Sequence, residues 1–430
     1  MALSDGRQPM PRYLAPIYLP TVFSTIAVSA ITPLVPFMVT GLGGSLAVAG
    51  FFAGLLLIGQ LLASVPSGRL VGRIGELPAL TVAGVLLLIG SLALLVPALP
   101  VVALGLLAVG ASASLFGLAR HSYLSATAPL DRRGSALARL GGAARFGTAL
   151  GPLVGSLFLV LCGTAGAAAS GALAALLALG GQFLARGSVH APVRTAAERA
   201  LPRTRDLIRD ARRTLSTVGV ASAAVNLVRA SRTVLLPLWA LHLGLDEQRV
   251  YLVVLAGTLV DLALFPLGGR LLDRFGPRPL AVITTLGIGA GLACLPLASG
   301  FWPLAICAAA MGAGNGLGSG LLFTVSAQVS PRRNPGPALG VFRLVSDSGS
   351  AVTPVLISSI TAVSGLAAAS VTIGGIGVLA AALAARFFAP DWLRACSPDA
   401  PHAGERAPGP ENGANGGGDE TRSPRVSGPG

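Results

Sequence analysis

Long apolar segments follow one another along most of the chain, and most of them are separated by only a few residues. Each segment is about 20 residues long, the length that a helix needs to cross the hydrocarbon core of a bilayer. A helix also satisfies its own backbone hydrogen bonds in lipid, so the segments are predicted to be transmembrane helices. Twelve are expected, at 15–39, 47–66, 79–98, 101–127, 136–161, 165–185, 214–241, 250–268, 279–298, 301–327, 338–361 and 366–388.

The composition agrees with this interpretation. Of the 430 residues, 53% are hydrophobic and 11% are charged, and the mean hydropathy is +0.75. Because these values are too apolar for an ordinary soluble domain, the predicted fold class is an all-α membrane protein. The first apolar segment lacks a small-residue cleavage site followed by a polar mature domain, so it is expected to remain as a membrane span.

The arginines mark one side of the predicted bundle, because they fall in alternate connections. Those on this side are Arg7, Arg12, Arg69, Arg73, Arg132, Arg133, the arginines of 186–213, Arg270, Arg274, Arg278, Arg332 and Arg333. The opposite connections hold one arginine, Arg249. Because cytoplasmic connections are enriched in arginine, both termini are predicted to be cytoplasmic and the protein to lie in the inner (plasma) membrane. The net charge of +14 therefore indicates membrane topology, and no nucleic-acid partner is expected.

Two phrases of the sequence occur twice. Gly68, Arg69, Leu70, Arg73 and Gly75 recur 201 positions later, and the phrase that begins at 136 recurs as the phrase that begins at 338. The chain is therefore predicted to consist of two pseudo-symmetric six-helix halves in the same orientation, as in transporters whose halves are parallel repeats. The predicted organisation is a cytoplasmic N-terminus, the first half, a basic cytoplasmic central loop, the second half and a disordered cytoplasmic tail, at 1–14, 15–185, 186–213, 214–388 and 389–430.

Residues 15–388 resemble the major facilitator superfamily, and two motifs carry the resemblance. The phrases at 68–76 and 269–278 resemble its motif A in the loops after helices 2 and 8, through Gly68, Arg69, Arg73, Gly75, Gly269, Arg270, Asp273, Arg274 and Gly276. The phrase at 147–156 resembles motif C on helix 5, which marks the drug/proton antiporter branch, through Gly147, Gly151, Pro152 and Gly155. Ser156 replaces the last glycine of that motif.

The resemblance implies a cavity lined by helices 1, 4, 7 and 10, with helix 5 packed on helix 8 and helix 2 on helix 11. It also implies that Asp273 braces the cytoplasmic end of helix 5 near Arg139 in the outward-open state, a role that Gly72 cannot take in the first half. Two alternatives remain open: both motif A phrases are simply positive-inside turns, and the glycines of motif C serve ordinary helix packing.

Two acids, Asp261 and Asp347, fall deep inside predicted helices. A charge there costs free energy in the bilayer, so each acid is a candidate functional residue. Arg145 on helix 5 and Asp261 on helix 8 are expected at similar depth, as an interdomain pair. The repeat maps this pair onto Asp347 and Gln60, and Arg343 precedes Asp347 by one turn.

The proton-coupling candidates are Asp261, Asp347 and His121. They are expected to change neighbours and solvation during transport. The alternative is that the pairs are static and hold the two halves together.

A second group of embedded polar residues is predicted to line the substrate cavity: Arg120, Tyr123, Asn226, Arg229, Arg232 and Asn315. Arg229 and Arg232 are three residues apart on helix 7, so they share one face of it. Such a surface suits an anionic or zwitterionic solute. The alternative is that these arginines bind backbone carbonyls or Asp261.

No spacing of cysteine, histidine or acidic residues matches a metal site, and no catalytic motif is present in the sequence. An enzyme, a metal or a cofactor is therefore not expected. The function predicted is a proton-coupled secondary transporter, acting as a monomer, that exports small amphipathic drugs or natural products. Proton-coupled uptake of an organic anion is the alternative within transport. A non-transporting membrane receptor or scaffold is the alternative from another class.

Overall fold

The computed structural model describes residues 15–128, 133–185, 211–329 and 335–396. All regular structure in these ranges is helical. The predicted N-terminus 1–14, most of the basic central loop 186–213 and most of the tail 389–430 lie outside the described residues.

Six helices form the first half. They are α1 (Ala15–Ile31 and Val35–Gly41, joined by the 3-10 turn Thr32–Leu34), α2 (Leu46–Ala53 and Leu55–Ile74), α3 (Glu76–Ala93), α4 (Leu99–Thr127), α5 (Arg133–Cys162) and α6 (Thr164–Ala185).

The second half repeats this order. It contains α7 (Val220–His242, preceded by Arg212–Thr214 and the π turn Leu215–Gly219), α8 (Glu247–Phe275), α9 (Pro277–Ala293) and α10 (Phe301–Leu317 and Leu321–Gln328). The helical stretch Pro335–Phe387 is two helices, α11 (335–364) and α12 (366–387), separated by Gly365 with φ +83°. A short helix, α13 (Pro390–Ala395), follows them.

Ten helical stretches of the described chain are long and apolar enough to cross a membrane. One of them, Val341–Phe387, contains both α11 and α12. The helix α7, which carries Arg229 and Arg232, is the remaining long helix and is not among these stretches. The described ranges therefore contain twelve long helices in the order that the apolar segments predict, and all of them except α7 lie in stretches that are apolar enough to cross a membrane.

The two halves meet along helices from both. Across this interface α5 packs on α8, and α2 packs on α11. The turns at Gly75 and Gly276 lie on one side of the bundle, here called the motif side. The turns at Gly43 and Gly244 lie on the opposite side, here called the far side.

The motif A phrases were expected in loops, and this expectation is wrong for most of their residues. The helix α2 continues through Arg69 and Arg73 to Ile74, and α8 continues to Phe275. Only one glycine separates each helix from the next, Gly75 with φ +84° and Gly276 with φ +76°. A positive φ is strained for residues other than glycine, so each glycine stops its helix within one residue.

Candidate functional site

A cavity of about 270 Å³ lies between the two halves. Its apolar walls include Leu56 and Phe116 from the first half and Leu236 and Val254 from the second. Arg120, Arg232 and Gln60 are the amide or charged side chains at its surface. Eight hydroxyls also line it, those of Ser24, Thr25, Ser29, Thr32, Ser112, Thr148, Thr233 and Thr258.

The carboxylate of Asp261, buried on α8, is the centre of a polar cluster that joins the halves. Its Oδ1 contacts Nη1 of Arg145 on α5 of the first half. Its Oδ2 accepts hydrogen bonds from Nη2 of Arg232 at 3.1 Å and from Nδ2 of Asn315 at 2.6 Å. The structure thus joins Arg145 and Asp261 directly, the pair that helix depth predicts, and adds two partners from α7 and α10.

Arg229 belongs to the same cluster but does not line the cavity. Its Nε donates to Oδ1 of Asn315 at 2.9 Å, and its Nη1 donates to the carbonyl of Gly318 at 3.3 Å. That carbonyl lies where α10 is interrupted between Leu317 and Leu321. The prediction that Arg229 and Asn315 line the cavity is therefore wrong, because their polar atoms are used within the second half.

Asp347 on α11 has partners from its own half. Its Oδ2 accepts from Nε of Arg343 at 3.3 Å, and its Oδ1 accepts from Nδ2 of Asn226 at 3.4 Å. The same amide group of Asn226 donates to the carbonyl and the hydroxyl of Ser346 at 3.1 and 3.0 Å. Asn226 thus ties α7 to α11 and does not line the cavity, contrary to expectation.

The predicted contact between Asp347 and Gln60 is wrong in this structure. Gln60 lies at the cavity surface, and no hydrogen bond joins it to Asp347 in the described part of the chain. Arg343 and Asn226 each bind one oxygen of the Asp347 carboxylate, and both residues belong to the second half. The pseudo-symmetry therefore holds for the helices but not for this pair of side chains.

Arg120 on α4 lines the cavity, as predicted. Its Nε and Nη1 atoms are buried, and neither has a hydrogen-bond partner among the described residues. Tyr123, also on α4, was predicted at the cavity, but its side chain is buried in the hydrophobic core of the bundle. The ring of Tyr123 packs in the core and is not available to a solute, contrary to expectation.

His121 lies between the halves on the motif side. Its Nδ1 is 2.6 Å from the carbonyl of Gly117, and its ring stacks on that of Phe323 from α10, with ring centroids 5.6 Å apart. On the far side, the hydroxyl of Tyr251 on α8 donates to the carbonyl of Ala30 on α1 at 2.6 Å. Contacts between the halves therefore exist on both sides of the cavity.

The acid of motif A, Asp273, is exposed on the last turn of α8. Arg139 is exposed on α5, and no ion pair joins the two in the described ranges. The expected brace is absent from this conformation, which has closing contacts on both sides of the cavity.

The glycines of motif C let α5 lie close to two other helices. A Cβ built on Gly151 would be 2.9 Å from the carbonyl carbon of Ser29 on α1. A Cβ built on Gly155 would be 2.7 Å from Cε1 of Tyr251 on α8. Both distances are too short for a real side chain, so close packing explains these glycines, including one at the interface between the halves.

Sequence reasoning missed three groups at these contacts, namely Phe323, Tyr251 and the carbonyl of Gly318. Phe323 and Tyr251 are aromatic residues in apolar helices, where nothing in the sequence distinguishes an interface from lipid. The carbonyl of Gly318 had a signal, the glycine-rich phrase 312–320, which breaks α10 where an ordinary helix was expected.

Three solved structures have a similar architecture, and each alignment covers 89% of this chain and 97% of the other protein's chain. Two are a POT family transporter, one in complex with a thioalcohol-conjugated peptide (TM-score 0.74, 15% identity) and one with 5-aminolevulinic acid (TM-score 0.72, 14% identity). A third is a D-xylose–proton symporter (TM-score 0.64, 19% identity). At these identities the likeness concerns the fold.

A curated relative from Macaca fascicularis, solute carrier family 2, facilitated glucose transporter member 12, is 41% identical over 80 residues. The aligned part is 18% of this chain and 13% of that protein. The family model described as Major Facilitator Superfamily matches twice, at residues 17–231 and 218–424. Together these two matches span nearly the whole chain, about one half each. The chain is therefore a multi-pass membrane transporter that belongs to the Major Facilitator Superfamily.

Proposed function

We propose that this protein is a proton-coupled secondary transporter that moves a small amphipathic solute through the central cavity by alternating access. One observation carries the proposal: the buried carboxylate of Asp261 has cationic partners from both halves of the bundle, Arg145 and Arg232. An acid in such a place is costly in a membrane protein and by default indicates a functional site, of which a proton relay is one kind. Arg232 also lines the cavity, so the cluster is next to the solute.

The cluster gives a physical route from protonation to movement. Asp261 and Arg145 bind each other across the interface between the halves. They must therefore separate when one half rotates away from the other at this position. A proton on the carboxylate removes the charge that attracts Arg145, and it lowers the cost of that separation. Arg232 and Asn315 belong to the same half as Asp261, so they hold its side chain in both states.

Asp347 is the weaker candidate for the proton carrier. Both of its partners, Arg343 and Asn226, belong to the second half, and one of them lies on the same helix. Rotation of the halves leaves these contacts intact, so a change of state does not alter the partners of this carboxylate. We therefore assign coupling to Asp261, with Asp347 as a structural acid and His121 as part of the motif-side contact.

Export is the direction we propose, on the basis of the motif C phrase on α5, with both termini in the cytoplasm. Uptake of an organic anion together with protons is a second candidate, favoured by the excess of embedded arginines over embedded acids. A susceptibility and accumulation screen in an efflux-deficient host identifies the solute. Flux in everted vesicles and in whole cells then separates the directions, because an exporter accumulates solute in everted vesicles and depletes it from cells.

The mutational test compares two kinds of transport in proteoliposomes. Asp261→Asn is expected to abolish uphill transport driven by a pH gradient and to spare downhill exchange of the solute. The amide cannot carry a proton, so the pH gradient no longer drives the solute, whereas the neutral side chain still allows the halves to separate. Asp347→Asn is the matched control and is expected to keep uphill transport. Uphill transport by Asp261→Asn at the wild-type level would refute this assignment.

A further inference from the structure

Arg120 differs from the other embedded arginines of the described chain in having no acceptor. Arg145 and Arg232 bind Asp261, and Arg343 binds Asp347. Arg229 binds a side-chain amide and a backbone carbonyl. Arg120 alone keeps two buried nitrogens, Nε and Nη1, without a hydrogen-bond partner. A buried charge without a partner is costly, so this guanidinium is expected to be satisfied by something that enters the cavity it lines.

The hydroxyls of the cavity cannot take the place of such a partner. Each of them donates its proton to a backbone carbonyl, as the hydroxyl of Ser29 does to Thr148 at 2.7 Å and that of Ser112 to Ala83 at 2.7 Å. They can therefore offer only lone pairs to a ligand. The donors of the lining are Arg120, the amide of Gln60 and Arg232, whose Nη2 already binds Asp261. Arg120 is the arginine among them with no partner in the described residues, so the ligand must bring an acceptor to it.

The rest of the lining is mostly apolar. Phe116 lies one helical turn from Arg120 on α4, and Leu56, Leu236 and Val254 also line the cavity. Apolar walls favour a ligand with an apolar body. Because the other embedded arginines are engaged, one free guanidinium faces the ligand, which suits a single negative charge better than a dianionic phosphate.

We infer that the solute is a small organic acid whose carboxylate binds Arg120 and whose apolar body packs against Phe116 and the other apolar residues of the cavity. Guanidinium and carboxylate match in charge and in planar geometry, and they form paired hydrogen bonds. The inference deepens the proposed function, on which it rests, by naming the solute class.

The test measures equilibrium binding to the purified full chain in lipid nanodiscs, without a proton gradient. The probes are three matched pairs of acid and amide: 4-phenylbutyrate, indole-3-propionate and octanoate, each with its primary amide. At least one acid is expected to bind the wild type about tenfold more tightly than its amide, because a charge-assisted hydrogen bond is stronger than a neutral one. Arg120→Gln is expected to remove this preference, and Arg120→Lys, which keeps the charge without the planar fork, to reduce it.

Arg249→Gln is the matched control, because it removes an exposed arginine on the far side and is expected to keep the preference for the acid. Arg120→Gln is also expected to unfold at a higher temperature than the wild type when no ligand is present, because an unpaired buried charge has been removed. The inference is overturned if no acid binds the wild type more tightly than its amide, or if Arg120→Gln keeps the preference.

These outcomes are separate from those of the proposed function. Acids that bind through Arg120 but drive no proton-coupled transport would refute the coupling and leave the solute class intact. Proton-coupled transport of neutral solutes, with no preference for acids, would refute the solute class alone.

Discussion

The ion pair between Arg145 and Asp261 is expected to contribute to stability as well as to coupling. Asp261→Asn leaves three arginines, Arg145, Arg229 and Arg232, around a neutral side chain. Only 8% of the Asp261 side chain and 20% of the Arg145 side chain are exposed, so solvent cannot compensate for the lost charge. Removing one partner of a buried pair costs about 3–5 kcal/mol, and we expect the free energy of unfolding to fall by that amount.

The double variant Asp261→Asn, Arg145→Gln distinguishes the pair from its surroundings. It removes one negative and one positive charge together, so the cluster returns to its original net charge. The two substitutions should therefore not be additive, with a coupling energy of about 2 kcal/mol, or about 30-fold in the unfolding equilibrium. The wild type, the two single variants and the double variant form a double-mutant cycle. The unfolding of each is measured in mixed detergent micelles by tryptophan fluorescence.

The pair between Asp246 and Arg249 is the matched control, because its atoms are 3.4 Å apart but its side chains are 55% and 59% exposed. Its cycle, with Asp246→Asn and Arg249→Gln, should give a coupling energy under about 1 kcal/mol. Asparagine keeps the helix cap that Asp246 provides at the start of α8. Additive losses at Asp261 and Arg145, or a coupling no larger than in the control, would refute the reasoning.

Three further tests, with four substitutions, concern other parts of the bundle. Asp273→Asn should raise the accessibility of cysteines placed on the motif side, while Gly72→Asp should change it less; equal profiles for wild type and Asp273→Asn would reject the latch. Phe323→Ala removes the ring that stacks on His121 and should broaden the distance distribution between spin labels on α4 and α10, whereas an unchanged distribution would show that the stack does not hold them. Gly110→Val forces a side chain against the α2 backbone and should lower the free energy of unfolding by about 1–3 kcal/mol. An unchanged free energy of unfolding would contradict this prediction.

The helices were predictable because the bilayer fixes their length and the repeat fixes their orientation. The ends of α2 and α8 on the motif side were not predictable, since the apolar segments stop at Pro66 and Gly268 whereas the helices continue to Ile74 and Phe275. Proline is tolerated inside membrane helices, and arginines beyond it reach water at the bilayer surface. Hydropathy therefore marks the edge of the hydrocarbon core and not the end of the helix.

The depth of the site's side chains along their helices was predictable from the sequence, but the neighbouring helix that each side chain reaches was not. Arg145 and Asp261 were expected at the same level of neighbouring helices, and the structure places them in contact. Arg229 and Arg232 share one face of α7, yet one reaches α10 and the other reaches α8. That difference arises from the break in α10, which frees a carbonyl, and helical periodicity contains no information about such a break.

The most direct test of the proposed coupling is the proton movement that the solute induces in proteoliposomes, followed with a pH-sensitive dye inside the vesicles. We expect the wild type and Asp347→Asn to move protons when the solute is added, and Asp261→Asn to move solute without protons. Solute-induced proton movement by Asp261→Asn at the wild-type rate would contradict the assignment of the proton to this carboxylate.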